Sequence, residues 1–424
     1  MWDRVIVHAD LNHCYAQIEE MLYPELRKVP MVVGGNEKSR HGIVLAKNDL
    51  AKEFHIQTGE SLREAYEKCP HLLVIQPHYE DYKYYSEEVK NIYREYTDKV
   101  ESFGIDEAWI DLTSSQRLFG GDPIAIAKEI QMRVYHELGL SVSMGVSYNK
   151  IFAKLGSDFD KKMGFTVISK KNFKDVVYPL PVEDLFYVGK ATTNKLKDKG
   201  IYTIGDIARS HKEYLKSFLG KNGEMIWYFA NGMDVSEVAL SDNERMPKSI
   251  GNGITAMHDL STFEEAKDVF RVLVESVASR LKDRNLKGSV ISIHLRDNEL
   301  NSYTRQKKID IATNISSEIM LVVEQLLLEN CLGSCYGYLD RPYRSVSVCV
   351  SQLADDSSHV QLSLFVDENQ RQKEKKIDRD IDEIRNKFGF EKIKRCCMEI
   401  HRELTNFNPK EDHVIHPEGW FKSL

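Results

Sequence analysis

The chain has 424 residues, 42 % of them hydrophobic and 29 % charged, with a net charge of −7. That length exceeds one ordinary domain and suits three or four of about 100–150 residues, and the composition is that of a folded globular chain rather than a disordered or fibrous one. No apolar run nears the ~18 residues of a membrane span, the N-terminus carries no leader pattern, and the seven scattered cysteines contain no CxxC pair, so a reduced, cytoplasmic protein with no membrane anchor is expected.

In chain order, Val5 to Ala9 is a short apolar run closing on Asp10, the pattern of a buried strand. A helix is predicted from Ala16 to Leu22, ending near Pro24, and short strands at 31–33, 43–46 and 72–75. Residues 79–99 are charged and aromatic at helical spacing. The stretch 100–112 then alternates as two strands about a bend that contains Gly104, a hairpin signature. A helix over 123–138 and a strand over 141–146 complete the order β-α-β-β-α-β. That is the ferredoxin-like split unit, with an insertion between about 23 and 78.

Residues 170–240 read as small helices, with Gly189-Lys190 and Gly200 flanking one of them as in a helix-hairpin-helix. A linker over 245–253 runs into a second strand and helix alternation over 249–353. Its strands are near 290–295, 302–309 and 345–350, and its helices are 262–284 and 313–328. The acidic overall charge argues against a chain that coats nucleic acid along its whole surface. Between Arg280 and Lys308, however, eight basic residues stand against three acidic ones, a local footprint suited to phosphate. After the polar linker 355–359, residues 367–402 read as one charged amphipathic helical tail, in which Cys396-Cys397 is expected on a buried helix face.

The chemistry points to acids. Asp10 closes the first strand, and Asp106-Glu107 sit at the bend of a hairpin predicted in the same sheet. Successive strand residues face opposite ways, so a bend or bulge is needed to bring both to Asp10. Three neighbouring carboxylates repel unless a cation neutralises them. Few, hard oxygen ligands suit magnesium, which takes its remaining ligands from water and phosphate. Two such ions would activate an attacking hydroxyl and stabilise a leaving oxygen, which is the chemistry of phosphoryl or nucleotidyl transfer.

Three blocks of the sequence, Asp10 to Glu19, Ser102 to Asp111 and Gly145 to Lys154 with Ser157-Asp158, resemble the signatures of the Y family of DNA polymerases, and most closely the bacterial DinB/UmuC translesion group. The second block departs from the family pattern in the spacing after Ser102. The resemblance covers roughly residues 1–365 and implies an α+β, multidomain, right-handed polymerase. Its palm would be ferredoxin-like (1–22 and 79–168), its fingers small (23–78), its thumb helical with a helix-hairpin-helix (169–240) and its little finger α/β (248–354). A helical C-terminal tail with a clamp-binding motif would follow (355–424). It further implies two Mg2+ ions on Asp10, Asp106, Glu107 and the Leu11 carbonyl, with Asp106 and Glu107 as the catalytic pair.

By the same resemblance Tyr15 would exclude the ribose 2′-hydroxyl, and Cys14, Lys52 and Lys154 would line the nucleotide site. The fingers lack the family's clamping Tyr. Lys52 stands for its Arg, and Lys47 is a nearby substitute. Gly189 and Lys190 in the thumb, and Arg284, Arg296, Arg305 and Lys307 in the little finger, would hold DNA. Gln361, Leu362, Leu364 and Phe365 form the short peptide with which bacterial polymerases dock on the sliding clamp. The implied activity is low-fidelity translesion synthesis on primed template DNA from dNTPs, by a monomer, without a proofreading exonuclease. Two other readings share the palm. A nucleotidyl cyclase would make cyclic product from ATP or GTP alone, and a catalytically weak accessory would bind primed DNA and add nothing.

Overall fold

The computed structural model describes residues 2–35, 42–241, 246–358 and 367–409. They form two compact units, one on either side of residues 242–245. The candidate clamp peptide, Gln361 to Phe365, lies outside the described residues.

The first unit is built on β1 (Ile6–Leu11), all six residues of which are buried. A continuous run of that kind belongs at the centre of a sheet covered on both faces. After α1 (Cys14–Leu22) the chain makes the insertion: β2 (Met31–Gly34), β3 (Val44–Lys47), α2 (Asp49–Glu53), α3 (Leu62–Lys68) and β4 (Leu73–Ile75). Its sheet has the order β3-β2-β4. Neither insertion helix was expected. Buried Asn48 caps α2 through the Ala51 N–H, and Ser61 with Glu64 makes a capping box on α3, so each is closed by local side-chain bonds.

The chain then returns through α4 (Tyr79–Arg94), β5 (Val100–Phe103), β6 (Glu107–Asp111), α5 (Pro123–Leu138), β7 (Val142–Ser147), α6 (Lys150–Asp158) and β8 (Phe165–Ile168). The sheet order is β5-β6-β1-β7-β8. Its first four strands have the ferredoxin-like arrangement that the sequence order implies, and β8 adds a parallel edge on β7. Val7, Ala9 and Leu11 join the core formed with the other helices, whereas Ile6, His8 and Asp10 face the α6 side. Gly145 lets α6 lie against β7, since a Cβ there would sit 2.0 Å from the Ala153 carbonyl. Five helices follow: α7 (Phe173–Val177), α8 (Lys190–Lys197), α9 (Ile204–Arg209), α10 (Lys212–Leu219) and α11 (Lys221–Ala230). They share a core with α6.

The second unit runs β9 (Ser249–Thr262), α12 (Phe263–Asp283), β10 (Leu286–Asp297), β11 (Ser302–Thr313), α13 (Ser316–Asn330) and β12 (Tyr338–Asp355). Its antiparallel sheet has the order β11-β10-β12-β9, with α12 and α13 packed on one face. The opposite face presents small and polar residues in alternation, among them Ser292, His294, Arg296, Ser345 and Ser347.

The tail departs from the single helix expected over 367–402. It is α14 (Glu368–Phe388), then two 3-10 turns, then α15 (Arg402–Thr405). Gly389, at φ +97°, ends α14 in a conformation that side-chain-bearing residues avoid. Cys396 is exposed and Cys397 only half-buried, because both lie in a short turn whose buried residue is Met398. The expected buried cysteine face is therefore corrected. Asp378 of α14 accepts hydrogen bonds from the backbone N–H and hydroxyl of Ser316, both at 2.7 Å. It thereby caps α13, whose own N-cap residue, Ile315, cannot.

Candidate active site

Asp10 and Glu107 are cross-strand partners in β1 and β6. The hairpin turns at Gly104, whose φ is +87°. Lys90 and Ser86 of α4 hold that turn by donating to the Gly104 and Ile105 carbonyls, and the Leu11 N–H donates to the Asp106 carbonyl at 2.9 Å. The bend therefore sets Asp106 and Glu107 beside the end of β1, and one backbone bond ties Leu11 to the same point. Ser102 lies within β5 opposite Ala108, so the bend is made by the residues after it.

Burial pushes the Asp10 carboxyl up to about 7; Lys161 opposes this, and the Glu107 and Asp106 charges add to it. Burial and the Glu107 charge also raise Asp106. Glu107 goes the other way: burial would raise it, but the His8 hydrogen bond and the charges of His8 and Lys154 bring it down to about 2. His8 itself is lowered to about 4, chiefly by burial, and so is uncharged at neutral pH.

Two lysines already neutralise the acids. Lys154 of α6 makes a close ion pair with Glu107 Oε2, and Lys161 reaches Asp10 Oδ2 at 2.7 Å and Asp158 Oδ1 at 2.6 Å. Among the described residues no three His, Cys, Asp or Glu side chains already converge as a cation cage. The donor set nevertheless fits divalent cations. Among those residues, Asp10 Oδ1 and Glu107 Oε1 have no protein partner, the Asp106 carboxylate accepts nothing from another residue's side chain, and burial together with the neighbouring carboxylates raises Asp10 and Asp106. Lys161 was not singled out by the sequence reading. Its only signal was a basic residue just after Ser157-Asp158.

Tyr15, half-buried on α1, lies with its ring stacked on Tyr82 at 4.5 Å and edge-on to Tyr79 at 5.9 Å. Cys14 beside it is buried, which pushes its thiol up. Lys52 is on α2, where its ammonium is 2.7 Å from Asp49, and Lys47 donates to the Ile56 carbonyl. Gly189 caps the exposed N-terminus of α8, with Lys190 as its first residue; a Cβ on Gly189 would meet nothing within 4 Å.

The basic residues of the second unit divide. Arg296 stands on the open face of the sheet, and exposed Arg284 caps α12. Arg305 and Lys307, on edge strand β11, lean to the helix side, onto Asn330 at 3.1 Å and Gln325 at 2.6 Å. Lys282 is buried against Asp378 and Asp382 of the tail, and Lys287 against the carbonyls of Asp356 and Ser358.

This arrangement has parallels among known proteins. Residues 9–158 match the model of the impB/mucB/samB family, and residues 247–364 that of the impB/mucB/samB family C-terminal domain. The chain is 45 % identical over 402 residues to DNA polymerase IV of Acetivibrio thermocellus, covering 95 % of this chain and 99 % of that one. It is 34 % identical to DNA polymerase IV 1 of Bacillus subtilis, covering 96 % of each. A solved Y-family DNA polymerase chimera, Dbh-Dpo4(243-245)-Dbh, has the same fold at a TM-score of 0.71 and 20 % identity, over 83 % of this chain and 99 % of that one. No helix among the described residues is long and apolar enough to cross a membrane. The chain belongs to the impB/mucB/samB family and is a DinB-like, Y-family, DNA-directed DNA polymerase.

Proposed function

We propose that this polymerase extends primed templates across damaged bases by two-metal nucleotidyl transfer at Asp10, Asp106 and Glu107, with low fidelity and without proofreading. The observation that carries this is the junction of β1 with the β5–β6 hairpin, where buried Asp10 and half-buried Asp106 and Glu107 are neighbours and two lysines pair with Asp10 and Glu107 as cations. Divalent cations bound there, with the Leu11 carbonyl as a further ligand, would lower the pKa of the primer 3′-hydroxyl and stabilise the leaving pyrophosphate. Lys154 and Lys161, released from the acids, become donors to triphosphate oxygens, with Lys52 as a weaker outer point charge. Tyr15, braced by Tyr82, closes the space under the sugar and rejects a 2′-hydroxyl sterically, next to Cys14.

On this reading the palm is 1–22 and 79–168, the fingers 23–78, the thumb 169–240, the little finger 248–354, and the clamp peptide and tail 355–424. The α8 N-terminus at Gly189-Lys190 holds phosphate without reading sequence. Arg296 on the open sheet face contacts the duplex backbone, and Arg284 at the end of α12 adds a further contact, as do Arg305 and Lys307 on the edge strand once their side chains swing from the helix side toward DNA. Gln361, Leu362, Leu364 and Phe365 dock on a sliding clamp, two apolar anchors and an amide suiting a greasy pocket with a polar rim. The protein acts as a cytoplasmic monomer.

The test is primer extension with Mg2+ and dNTPs, with and without sliding clamp. Addition of one to a few bases, enhanced by clamp and with mismatched 3′ ends left uncut, is the expected result. Binding of primed DNA with no addition under any divalent cation overturns the reading.

A further inference from the structure

Two residues before Asp10, on the same face of β1, His8 is fully buried. Its Nε2 lies 3.1 Å from Glu107 Oε2 and its Nδ1 2.8 Å from the hydroxyl of Ser157, itself 1 % exposed on α6. The ring meets Trp109 edge-on at 5.2 Å, and the Trp109 indole N–H donates to the Lys150 carbonyl at the start of α6. Strand, hairpin and helix are thus locked around one imidazole that faces an expected metal ligand.

The proton inventory gives the pair its sense. An uncharged imidazole has one N–H and one acceptor nitrogen. With the proton on Nδ1, the Nε2 lone pair would face the Glu107 carboxylate in a dry site, acceptor against acceptor. With the proton on Nε2, the N–H faces Glu107 Oε2 at 3.1 Å, close but off the line of a formed hydrogen bond, and Nδ1 accepts from Ser157. The Ser157 hydroxyl has two acceptors in reach, His8 Nδ1 and the Lys154 carbonyl at 2.7 Å. Turning to His8 satisfies Nδ1 and leaves the Nε2 N–H, without another partner among the described residues, as a donor held 3.1 Å from Glu107 Oε2.

We propose that His8, with its tautomer set by Ser157, is a positioning residue that clamps Glu107 Oε2 and thereby presents Oε1 to the catalytic cation. The inference rests on the proposed role of Glu107 as a metal ligand. It matters most at the moment Lys154 leaves Glu107 for the triphosphate, because His8 is then the remaining protein partner that fixes the carboxylate plane. Partners that orient a ligand in this way are commonly worth 10–100-fold in metal affinity.

The experiment measures Mn2+ binding by electron paramagnetic resonance, without turnover. The full-length protein is bound to a dideoxy-terminated primer–template and the incoming dNTP, and thermal melting is recorded alongside. His8→Leu keeps the site apolar and removes the donor; His8→Gln carries an amide N–H near the Nε2 position. Weakening of the Mn2+ Kd by about 10–100-fold in His8→Leu, substantial recovery in His8→Gln and a smaller loss in Ser157→Ala are expected. Equal loss in the Leu and Gln variants would mean packing alone and overturns the proposal. Should His8→Leu fail to fold, the comparison of His8→Gln with Ser157→Ala decides it, and wild-type Mn2+ affinity in Ser157→Ala overturns it. Glu107→Gln separates the two levels. If that variant binds Mn2+ normally, the ligand role falls and this inference with it. If it binds weakly while His8→Leu binds normally, only the positioning role falls.

Discussion

The rings of Tyr15 and Tyr82 lie parallel, 13° apart in plane and 4.5 Å between centroids. Tyr82 is in turn fixed by its hydroxyl donating to buried Glu19, which also pairs with His78 at 2.8 Å. Tyr15 is thus a rigid wall rather than a loose side chain. Tyr15→Ala should raise ribonucleotide incorporation relative to deoxynucleotide at least tenfold or so, within the ~10–200-fold range that small pocket changes produce. Single-turnover insertion of matched rNTP and dNTP measures it, and unchanged sugar selectivity would remove Tyr15 from the role.

Asp106→Ala should lower the rate of primer extension by roughly 10²–10³-fold or more, the scale seen when one preorganised electrostatic group is lost. The acid lies at a hairpin bend secured by backbone bonds and by Lys90 and Ser86, so DNA affinity in a gel-shift assay should stay close to wild type. A parallel loss of DNA binding would point to collapse of the hairpin instead.

Because Asp10 is pushed up to about 7, it takes up a proton as the pH falls through that value, and divalent affinity should decline on the acid side. The stability effect has the opposite sense. The folded state holds more protons than the unfolded one between the ordinary value of 3.8 and about 7, so Asp10 costs the metal-free fold stability as pH rises across that window. Mg2+ should therefore raise Tm more at pH 8 than at pH 6. A Mg2+ shift independent of pH contradicts this.

Arg296 stands on the open sheet face among small polar residues. Arg296→Ala should weaken binding to all duplex sequences alike and reduce the slope of log K against log salt by about 1. Loss confined to particular sequences would mean base reading rather than phosphate contact.

Asp378→Ala should destabilise the second unit. It removes the cap on α13 and leaves Lys282 and Arg395 short of a buried partner. Cap loss costs about 0.5–2 kcal/mol and a broken buried pair about 3–5 kcal/mol, not fully additive. Denaturant unfolding should show a loss of at least about 2 kcal/mol, and none would be expected from Asp380→Ala on the exposed side of α14.

The sequence by itself determined the elements whose signals are local. The apolar run closing on Asp10, the alternation about Gly104, and the helical spacing of residues 123–138 are written in nearest-neighbour periodicity, and they were enough to read the ferredoxin-like order and its acids. Tertiary structure alone decided the partners. Lys161 and Asp10 are 151 positions apart, and Asp378 and Ser316 are 62 apart. Arg305 and Lys307 turn to the helix side because the pleat of an edge strand, not composition, assigns their face. Periodicity reports which residues prefer burial. Which charge meets which is settled only when distant elements pack and a buried ion must find a counter-ion.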